Sequence, residues 1–323
     1  MTTRYPGGII TKTPVVPSGP YVCSTAPGIW TLDQQLQAQK LGIWPTAGNV
    51  YGTLAIFARG SNTTTREKYT YSGCVSAAAT ASSVASQFGA AAGNATTGIF
   101  AIGNSVTTRN KYTYSGCVSA AATASSAGSN YASATGNATT GIFAIGGGAT
   151  TRNKYTYSGD VNAVATASSV VSDSGSAAGN STVGIFAIGN SCCACSPPTT
   201  TRNKYTYSGD TSAVATASSA ASAGGSAAGN ATVGIFAIGN SVTTRNKYTY
   251  SGDVNAAATA SSANSYYGAA AGNATVGIFA RGSTTTTREK YTYSGCVSAA
   301  ATASSATSSG GSAASNGTTG VNV

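Results

Sequence analysis

The decapeptide TRNKYTYSGD spans Thr151–Asp160 and returns unchanged from Thr201 and from Thr244 onward. Looser copies begin at Thr65, Thr108 and Thr287, and the arginine of each copy recurs about every 43 residues. The six arginines are Arg66, Arg109, Arg152, Arg202, Arg245 and Arg288. One interval is longer because Cys192–Pro198 is inserted there. A constant period of this length indicates a repeat architecture, so the chain from about Tyr51 onward is one array.

Each unit contains segments whose residues favour strands and turns. GNATVGIFAIGN (229–240) has apolar residues on both faces of a strand, which predicts a strand covered on both sides. In RNKYTYSG (202–209), cations alternate with tyrosines, and we expect solvated cations on outer strands and tyrosines between units. The other two segments are AVATAS and a run of small residues at 219–229. Gly-Asn pairs predict tight turns, so we interpret Asn94 and its equivalents as turn residues rather than glycosylation sites.

Four short antiparallel strands in about 43 residues match the size of one β-propeller blade. The small-residue strand suits the innermost position, because the blades converge there and large side chains would clash. The order of a small-residue strand, an apolar strand ending in glycine (GIFAIGG, Gly141–Gly147) and a tyrosine-bearing strand resembles the kelch repeat, with tyrosine where kelch repeats carry tryptophan. The resemblance covers residues 51–323 and implies an all-β, six-bladed kelch-like propeller.

The two ends of the array predict how the ring closes. The array opens on TLAIFARG (Thr53–Gly60), the second strand of a blade, without a small-residue strand before it. It ends on SATSSGGSAASNG (Ser305–Gly317), a small-residue strand without a blade of its own. The two parts add up to one blade. We therefore expect a ring closed by pairing of its N- and C-terminal strands, whereas an open solenoid would carry polar caps.

Residues 1–50 differ in kind from the repeats. TRYPGGIITKTPVVPSGP is interrupted by proline and glycine and is expected to be extended. GIWTLDQQLQAQKLGIWPT predicts one short helix with a capping box at Thr31 and Gln34. A helix this short needs a partner, either the propeller or another subunit, so a homo-oligomer is one expected assembly. Four side chains are predicted to make the assembly contact: Trp30, Leu32, Leu36 and Trp44.

The motifs RYPGGII and GIWTLDQQLQAQKLGIWP, with the proline-rich stretch between them, resemble the N-terminal attachment region of bacteriophage virion proteins. The similarity is to tail-fibre and related structural proteins of phages that infect cyanobacteria and other aquatic bacteria. It implies a virion protein on the particle surface. Residues 1–50 would dock on other virion proteins, and the propeller at 51–323 would face outward. A lectin-like secreted or cell-surface propeller unrelated to phage is the alternative.

Nucleic-acid binding and membrane insertion are both disfavoured. The net charge of +10 comes mainly from the arginine and lysine of each repeat. One such pair per blade forms a ring, whereas nucleic acid needs a continuous basic track with accessible aromatic rings. No run of about 18 apolar residues occurs, so we expect no membrane span.

The composition also argues against catalysis and against a bound metal or other cofactor. Histidine, the usual general base and a common ligand of copper and zinc, is absent. One turn position is filled by either aspartate or cysteine, and we interpret it as a structural hydrogen-bonding site. Its occupants are Cys74, Cys117, Asp160, Asp210, Asp253 and Cys296. The thiols of the Cys192–Pro198 insertion lack zinc-site spacing, so we interpret this segment as a variable loop.

Binding is better sought where the six copies differ. After ATASS, some units carry single bulky or polar residues in a run that is otherwise glycine, alanine and serine. Loops on a rigid scaffold are a common place for recognition, and aromatic side chains on a propeller face suit a host-surface glycan or protein. The alternative is that these side chains only fill gaps between blades. The candidate binding residues are Gln87, Phe88, Asn130, Tyr131, Asp173, Tyr266 and Tyr267.

Overall fold

The computed structural model describes residues 4–5, 8–9, 53–71, 75–115, 117–190 and 197–316. Within these ranges it contains strands and no helix. The chain divides into two compact units, Met1–Val50 and Tyr51–Val323. In the first unit, β1 (Arg4–Tyr5) pairs antiparallel with β2 (Gly8–Ile9). The predicted helix and its four assembly side chains, Trp30, Leu32, Leu36 and Trp44, lie outside the described residues.

The second unit is a ring of six four-stranded antiparallel sheets, which are the blades. Blades 1 and 2 contain, from the axis outward, β26 (Ser312–Ser315), β3 (Leu54–Ala58), β4 (Arg66–Thr70) and β5 (Val75–Ala79), then β6 (Ala90–Gly93), β7 (Thr97–Ala101), β8 (Arg109–Thr113) and β9 (Val118–Ala122). Blades 3 and 4 contain β10 (Ser133–Gly136), β11 (Thr140–Ala144), β12 (Arg152–Thr156) and β13 (Val161–Ala165), then β14 (Ser176–Gly179), β15 (Val183–Ala187), β16 (Arg202–Thr206) and β17 (Thr211–Ala215). Blades 5 and 6 contain β18 (Ser226–Gly229), β19 (Val233–Ala237), β20 (Arg245–Thr249) and β21 (Val254–Ala258), then β22 (Ala269–Gly272), β23 (Val276–Ala280), β24 (Arg288–Thr292) and β25 (Val297–Ala301).

Blade 1 is built from both ends of the array, which confirms the predicted closure. The C-terminal strand β26 pairs antiparallel with β3, so that Ser312 lies opposite Ala58 and Ala314 opposite Ile56. Beyond the strand, the Leu54 amide donates a hydrogen bond of 2.9 Å to the Asn316 side-chain oxygen. The protein is therefore a closed six-bladed propeller.

The innermost strands surround a narrow axial channel. They consist of alanine, glycine, serine and one threonine, as the repeat pattern predicts. Three cavities of about 50, 60 and 80 Å³ lie along the axis; the two larger ones are lined mainly by these strands, and the smallest by the residues just before them. The second strands carry the apolar core, in which isoleucines such as Ile142 are completely buried. The ring thus packs small residues at its centre and large apolar residues between blades.

The arginines of the third strands are buried, so the prediction that they lie in solvent was wrong. Arg152 is 1% exposed. Its guanidinium carbon lies 4.5 Å from the ring centroid of Phe186 in the next blade. Its two terminal nitrogens donate to Asn203 Oδ1 (3.5 Å) and Ser212 Oγ (2.9 Å) of that blade. A buried cation is tolerable when it has such ring and hydrogen-bond partners. Tyr155 of the same strand packs between blades, as predicted.

The same contact joins every pair of neighbouring blades. The distance from guanidinium carbon to ring centroid is 4.5–4.7 Å in all six cases. We call this contact the arginine clasp. Its members are Arg66–Phe100, Arg109–Phe143, Arg152–Phe186, Arg202–Phe236, Arg245–Phe279 and Arg288–Phe57. The last pair closes the ring between blade 6 and blade 1.

Two clasps contain a carboxylate where the other four contain an asparagine. Arg245 donates to Glu289 at 2.7 Å, and Arg288 donates to Glu67 at 2.8 Å. Burial by itself raises the pKa of Glu67. Hydrogen bonds from Ser305 and the charge of Arg288 outweigh burial and hold this pKa below its ordinary value of 4.5. The pKa of Glu289 is lowered in the same way. Both interfaces that involve blade 6 therefore contain a buried ion pair.

These carboxylates predict a specific loss of stability in acid. A carboxyl group whose folded pKa is lowered stabilises the protein above its unfolded pKa of about 4.5, and this stability is lost as the pH falls through the folded pKa. We expect Glu67→Gln/Glu289→Gln to lower the free energy of unfolding by about 1–3 kcal/mol per site at pH 7. The difference from the wild type should shrink below about pH 4.

The measurement is urea unfolding of both proteins at a series of pH values. The two single variants serve as controls and should each account for part of the pH dependence. The assignment would be contradicted if the free energy of unfolding fell with decreasing pH as steeply in the double variant as in the wild type.

Candidate functional site

One end of the channel is framed by six repeat-equivalent residues, which we call the axial mouth. All six have left-handed backbone angles, with φ between 51° and 63°. Backbone hydrogen bonds of 2.7–3.1 Å link each blade to the next at this level and form a closed ring. The six residues are Phe88, Tyr131, Ser174, Gly224, Tyr267 and Gly310. The backbone frame is thus constant while the side chains on it differ.

Three aromatic rings meet across the axial mouth. Phe88 of blade 2 stacks on Tyr131 of blade 3, with a centroid separation of 4.1 Å and an interplanar angle of 25°. Tyr267 of blade 6 reaches them from the other side, at 5.0 Å from Phe88 and 5.7 Å from Tyr131. All three side chains are partly exposed. The rings therefore cover the channel and also present aromatic surface to solvent.

Glycines on the neighbouring blades make room for these rings. A Cβ added to Gly224 would lie 2.9 Å from Tyr267 Cδ1, and a Cβ added to Gly310 would lie 2.7 Å from Phe88 Cδ1. Both distances are shorter than real carbon contacts. The mouth therefore needs small residues on some blades to accommodate large ones on others, which explains why the six copies differ here.

The residues that precede the mouth positions form a second ring around it. Tyr266 packs against Tyr267 with ring centroids 4.0 Å apart and an interplanar angle of 45°, and its hydroxyl donates to Tyr267 Oη at 3.1 Å. Burial and the contact with Tyr267 raise the pKa of Tyr266 to about 12. Gln87 and Asn130 occupy the same ring on blades 2 and 3 and are partly exposed. The predicted binding residues thus come together at one end of the molecule, with the four aromatic residues in direct contact.

Asp173 also belongs to the second ring and is buried, with an exposed fraction of 2%. Burial raises the pKa of its carboxyl group, although Ser174 Oγ donates to Oδ1 at 3.3 Å. Burial, followed by the charge of Asp173, raises the pKa of Tyr131. Among the described residues, Asp173 has no ion-pair partner. A buried carboxylate without a cation is unusual, and it lies beside the aromatic rings.

Two features of this end of the ring were missed from the sequence. Arg59 and Arg281 replace an isoleucine that the other four blades bury, and they donate at 3.3 Å to the backbone oxygens of Thr307 and Asn264. Comparing the six copies position by position would have revealed them. The long insertion also begins here, because the Asn190 amide donates to the Asp173 carbonyl at 2.8 Å. The thiols Cys192, Cys193 and Cys195 themselves lie outside the described residues.

The aspartate/cysteine position lies in the turn before the outer strand and makes structural contacts, as predicted. Thr123 N–H donates to Asp160 Oδ1 at 3.0 Å, and the equivalent bonds to Asp210 and Asp253 measure 3.1 and 3.0 Å. The asparagine turns are also confirmed, since Asn94 Oδ1 accepts hydrogen bonds from two amides that follow it. Within the described residues, no three histidine, cysteine or acidic side chains are grouped so that they could hold a metal ion.

Comparison with known proteins supports the fold alone. No family model and no curated protein sequence matches this chain. A solved structure titled "Structure of YjhT" is similar, with a TM-score of 0.59 and 9% sequence identity over 72% of this chain and 88% of that chain. At this identity the likeness extends to the propeller fold and no further. In the part of the chain that the structure describes, no helix is long and apolar enough to cross a membrane.

The close packing of aromatic rings against glycines predicts that one added methyl group at the axial mouth destabilises the protein. We expect Gly224→Ala to destabilise the protein by about 1–2 kcal/mol because alanine disfavours the left-handed backbone conformation. The steric overlap of the new methyl group with Tyr267 should cost about 1–3 kcal/mol more. Gly147→Ala is the matched control, because Gly147 also has a left-handed φ of 62°. A Cβ added to Gly147 would lie no closer than 4.0 Å to any atom beyond its chain neighbours, the nearest being the backbone oxygen of Asn130. Urea unfolding gives the stabilities, and near-ultraviolet circular dichroism reports on tyrosine packing. Equal effects of the two substitutions would show that Tyr267 does not rest on Gly224.

Proposed function

We propose that this protein is a structural component of a bacteriophage virion, a tail-fibre or decoration protein whose propeller head attaches to the host surface. A propeller fold fits a binding or attachment role. The observation that carries the proposal is the axial mouth, where aromatic side chains that vary between copies converge on an invariant backbone ring.

The chemistry of the mouth suits a host-surface glycan. The partly exposed rings of Tyr131 and Tyr267 would offer apolar contact surface for the C–H face of a sugar ring. Gln87 and Asn130 place amide groups next to these rings, and such groups hydrogen-bond to hydroxyls. A few polar groups around an apolar platform are typical of small-ligand recognition. A surface protein of the host would use the same rings as anchors.

We assign the mouth a binding role and not a catalytic one. Glycoside hydrolysis needs two carboxyl groups that face each other across the scissile bond. Among the described residues of the two mouth rings, Asp173 is the one carboxylate. Nucleic acid is not the ligand we propose either. The repeated arginines are at most 2% exposed and bound to the next blade, so they are not available to phosphate groups.

The virion assignment depends on residues 1–50, which resemble phage attachment regions. In this proposal the arm binds other virion proteins, and the propeller is displayed on the outside of the extracellular particle. The same mouth would serve a lectin-like secreted or cell-surface propeller unrelated to phage. The two functions differ in what residues 1–50 bind.

The glycan proposal predicts that the mouth aromatics control binding. We expect Tyr131→Ala and Tyr267→Ala each to weaken binding to polysaccharides isolated from aquatic bacteria, by about tenfold or more. Tyr267→Phe keeps the ring and should retain most of the affinity. Val164→Ala, on the outer strand of blade 3 where the side chain is 72% exposed, is the surface control. A glycan array followed by titration calorimetry provides the measurement. Full affinity in both alanine variants would show that the binding site lies outside the axial mouth.

The arm proposal predicts that residues 1–50 are required for assembly. We expect the chain 51–323 to be produced as a folded ring, because the closure and all six clasps lie within it. It should no longer join particles when it replaces the full chain, and it should still bind glycan. Incorporation is measured on purified particles by quantitative mass spectrometry. Normal incorporation of the isolated ring would place the anchor on the propeller.

A further inference from the structure

One turn position divides the ring into two chemical halves. Blades 3, 4 and 5 carry aspartate there, as Asp160, Asp210 and Asp253. Blades 6, 1 and 2 carry cysteine at the same place. The structure describes Cys296 of blade 6 and Cys117 of blade 2, and both are partly exposed and not in a disulfide. Asp210 of blade 4, whose carboxylate contacts both a tyrosine and a lysine, therefore provides an internal reference for the cysteine blades.

The backbone is the same in both halves. The angle φ is 51° at Asp210 and 50° at Cys296. In each case a threonine hydroxyl of the preceding blade donates to the carbonyl oxygen of the turn residue, from Thr166 to Asp210 and from Thr259 to Cys296. The two side chains consequently leave the backbone at equivalent positions and point into equivalent surroundings.

The carboxylate of Asp210 has three partners. Its Oδ1 accepts hydrogen bonds from the Tyr205 hydroxyl and from the Thr166 amide, the latter at 3.1 Å. Its Oδ2 lies 3.7 Å from Lys154 Nζ of the preceding blade. Burial alone raises the pKa of this carboxyl group, but these partners together lower it. The site thus holds an anion between two blades.

The surroundings of Cys296 keep the donors but lack the oxygen acceptors. Lys247 Nζ of the preceding blade lies 4.0 Å from the sulfur. The Tyr291 hydroxyl is fully buried beside the thiol, and within the described residues it has no oxygen acceptor. Burial, followed by the contact with the thiol, raises the pKa of Tyr291 to about 12. Tyr112 is placed in the same way beside Cys117.

We propose that Cys296 and Cys117 are oxidised by hydroperoxides to sulfinates, which take the place that the Asp210 carboxylate has in blade 4. Partly exposed cysteines in electropositive surroundings are the ones that react, and Lys247 provides the positive charge at Cys296. A sulfinate carries two oxygens on the atom bonded to Cβ, as the aspartate side chain does. At Cys296, one oxygen would accept from the Tyr291 hydroxyl, and the other would face Lys247; at Cys117, one oxygen would accept from the Tyr112 hydroxyl.

The chemistry consists of two successive oxygen transfers. The thiolate sulfur attacks one oxygen of hydrogen peroxide, an S–O bond forms, and the O–O bond breaks with release of hydroxide, which becomes water on protonation. The product is a sulfenic acid. A second peroxide oxidises this sulfur again in the same way, and the resulting sulfinic acid loses its proton to solvent. Each step oxidises the sulfur by two electrons and reduces one peroxide.

The modification would strengthen the interfaces around the closure of the ring. Cys296 joins blade 6 to blade 5, and Cys117 joins blade 2 to blade 1 through Thr80. Blade 1 is the blade that noncovalent pairing of the chain ends completes. An added anion would give each buried tyrosine hydroxyl an oxygen acceptor, and at Cys296 it would also pair with Lys247. Oxidation would therefore stabilise the half of the ring that opens when the chain ends separate.

The test treats the full chain with hydrogen peroxide and follows each cysteine by peptide mass spectrometry. We expect Cys296 and Cys117 to gain two oxygen atoms each, and Tm to rise by about 2–4 °C. Lys247→Gln should slow oxidation of Cys296 about fivefold, the effect of one charge about 4 Å away in water, while Cys117 stays unchanged as the internal control. Lys247→Arg keeps the charge and should restore the rate.

Two substitutions separate the modification from other oxidation. Cys296→Asp should raise Tm without peroxide, and Asp210→Cys should create a site that gains two oxygens. Cys296→Ser should remove the part of the Tm rise that depends on this residue. The proposal is overturned if the two cysteines form mixed disulfides instead, if Lys247→Gln leaves the rate unchanged, or if Cys296→Asp lowers Tm.

Discussion

The arginine clasp is the interaction on which the rest of the propeller depends. Each blade sends one guanidinium group into the next blade, where it lies over a phenylalanine ring and donates to side-chain oxygens. A buried cation without these partners would cost several kcal/mol, so each blade is completed only by its neighbour. This mutual dependence explains why the RNKYTYSG segment repeats so closely. The repetition preserves an interface between blades and not a surface for a ligand.

The composition of the clasps differs near the place where the two ends of the array pair. Every pair of neighbouring blades is connected by the chain, and the noncovalent closure lies inside blade 1, where β26 pairs with β3, next to the interface between blade 6 and blade 1. That interface holds Arg288 against Glu67, and the one before it holds Arg245 against Glu289. Charge-assisted hydrogen bonds are stronger than those to an amide, and a clasp with a carboxylate also neutralises the buried cation. The strongest clasps thus lie next to the place where the chain ends meet.

A fixed frame of this kind allows variation at the channel mouth. The backbone ring at the mouth and the small-residue inner strands are the same in every blade, so a large side chain on one blade needs only a small one on its neighbour. Aromatic rings could therefore gather on blades 2, 3 and 6 without disturbing the fold. The result is an asymmetric surface on a nearly sixfold scaffold, which fits a binding or attachment role.

The sequence by itself determined the period, the four strands of each unit, the small-residue strand at the axis and the pairing of the chain ends. These features follow from the alternation of residue types along each strand and from the number of residues per repeat. Neither requires knowing which segments pack together in space. It also located the variable residues, from Gln87 to Tyr267. Only the tertiary structure showed that Phe88, Tyr131 and Tyr267 touch across the axis, because they come from blades far apart in the chain. Likewise, alternation along β12 places Arg152 on one face of its strand but cannot show that Phe186 of the next blade covers that face. Whether a charged side chain is solvated or buried depends on what packs against it, and in this ring the packing partner always belongs to another blade.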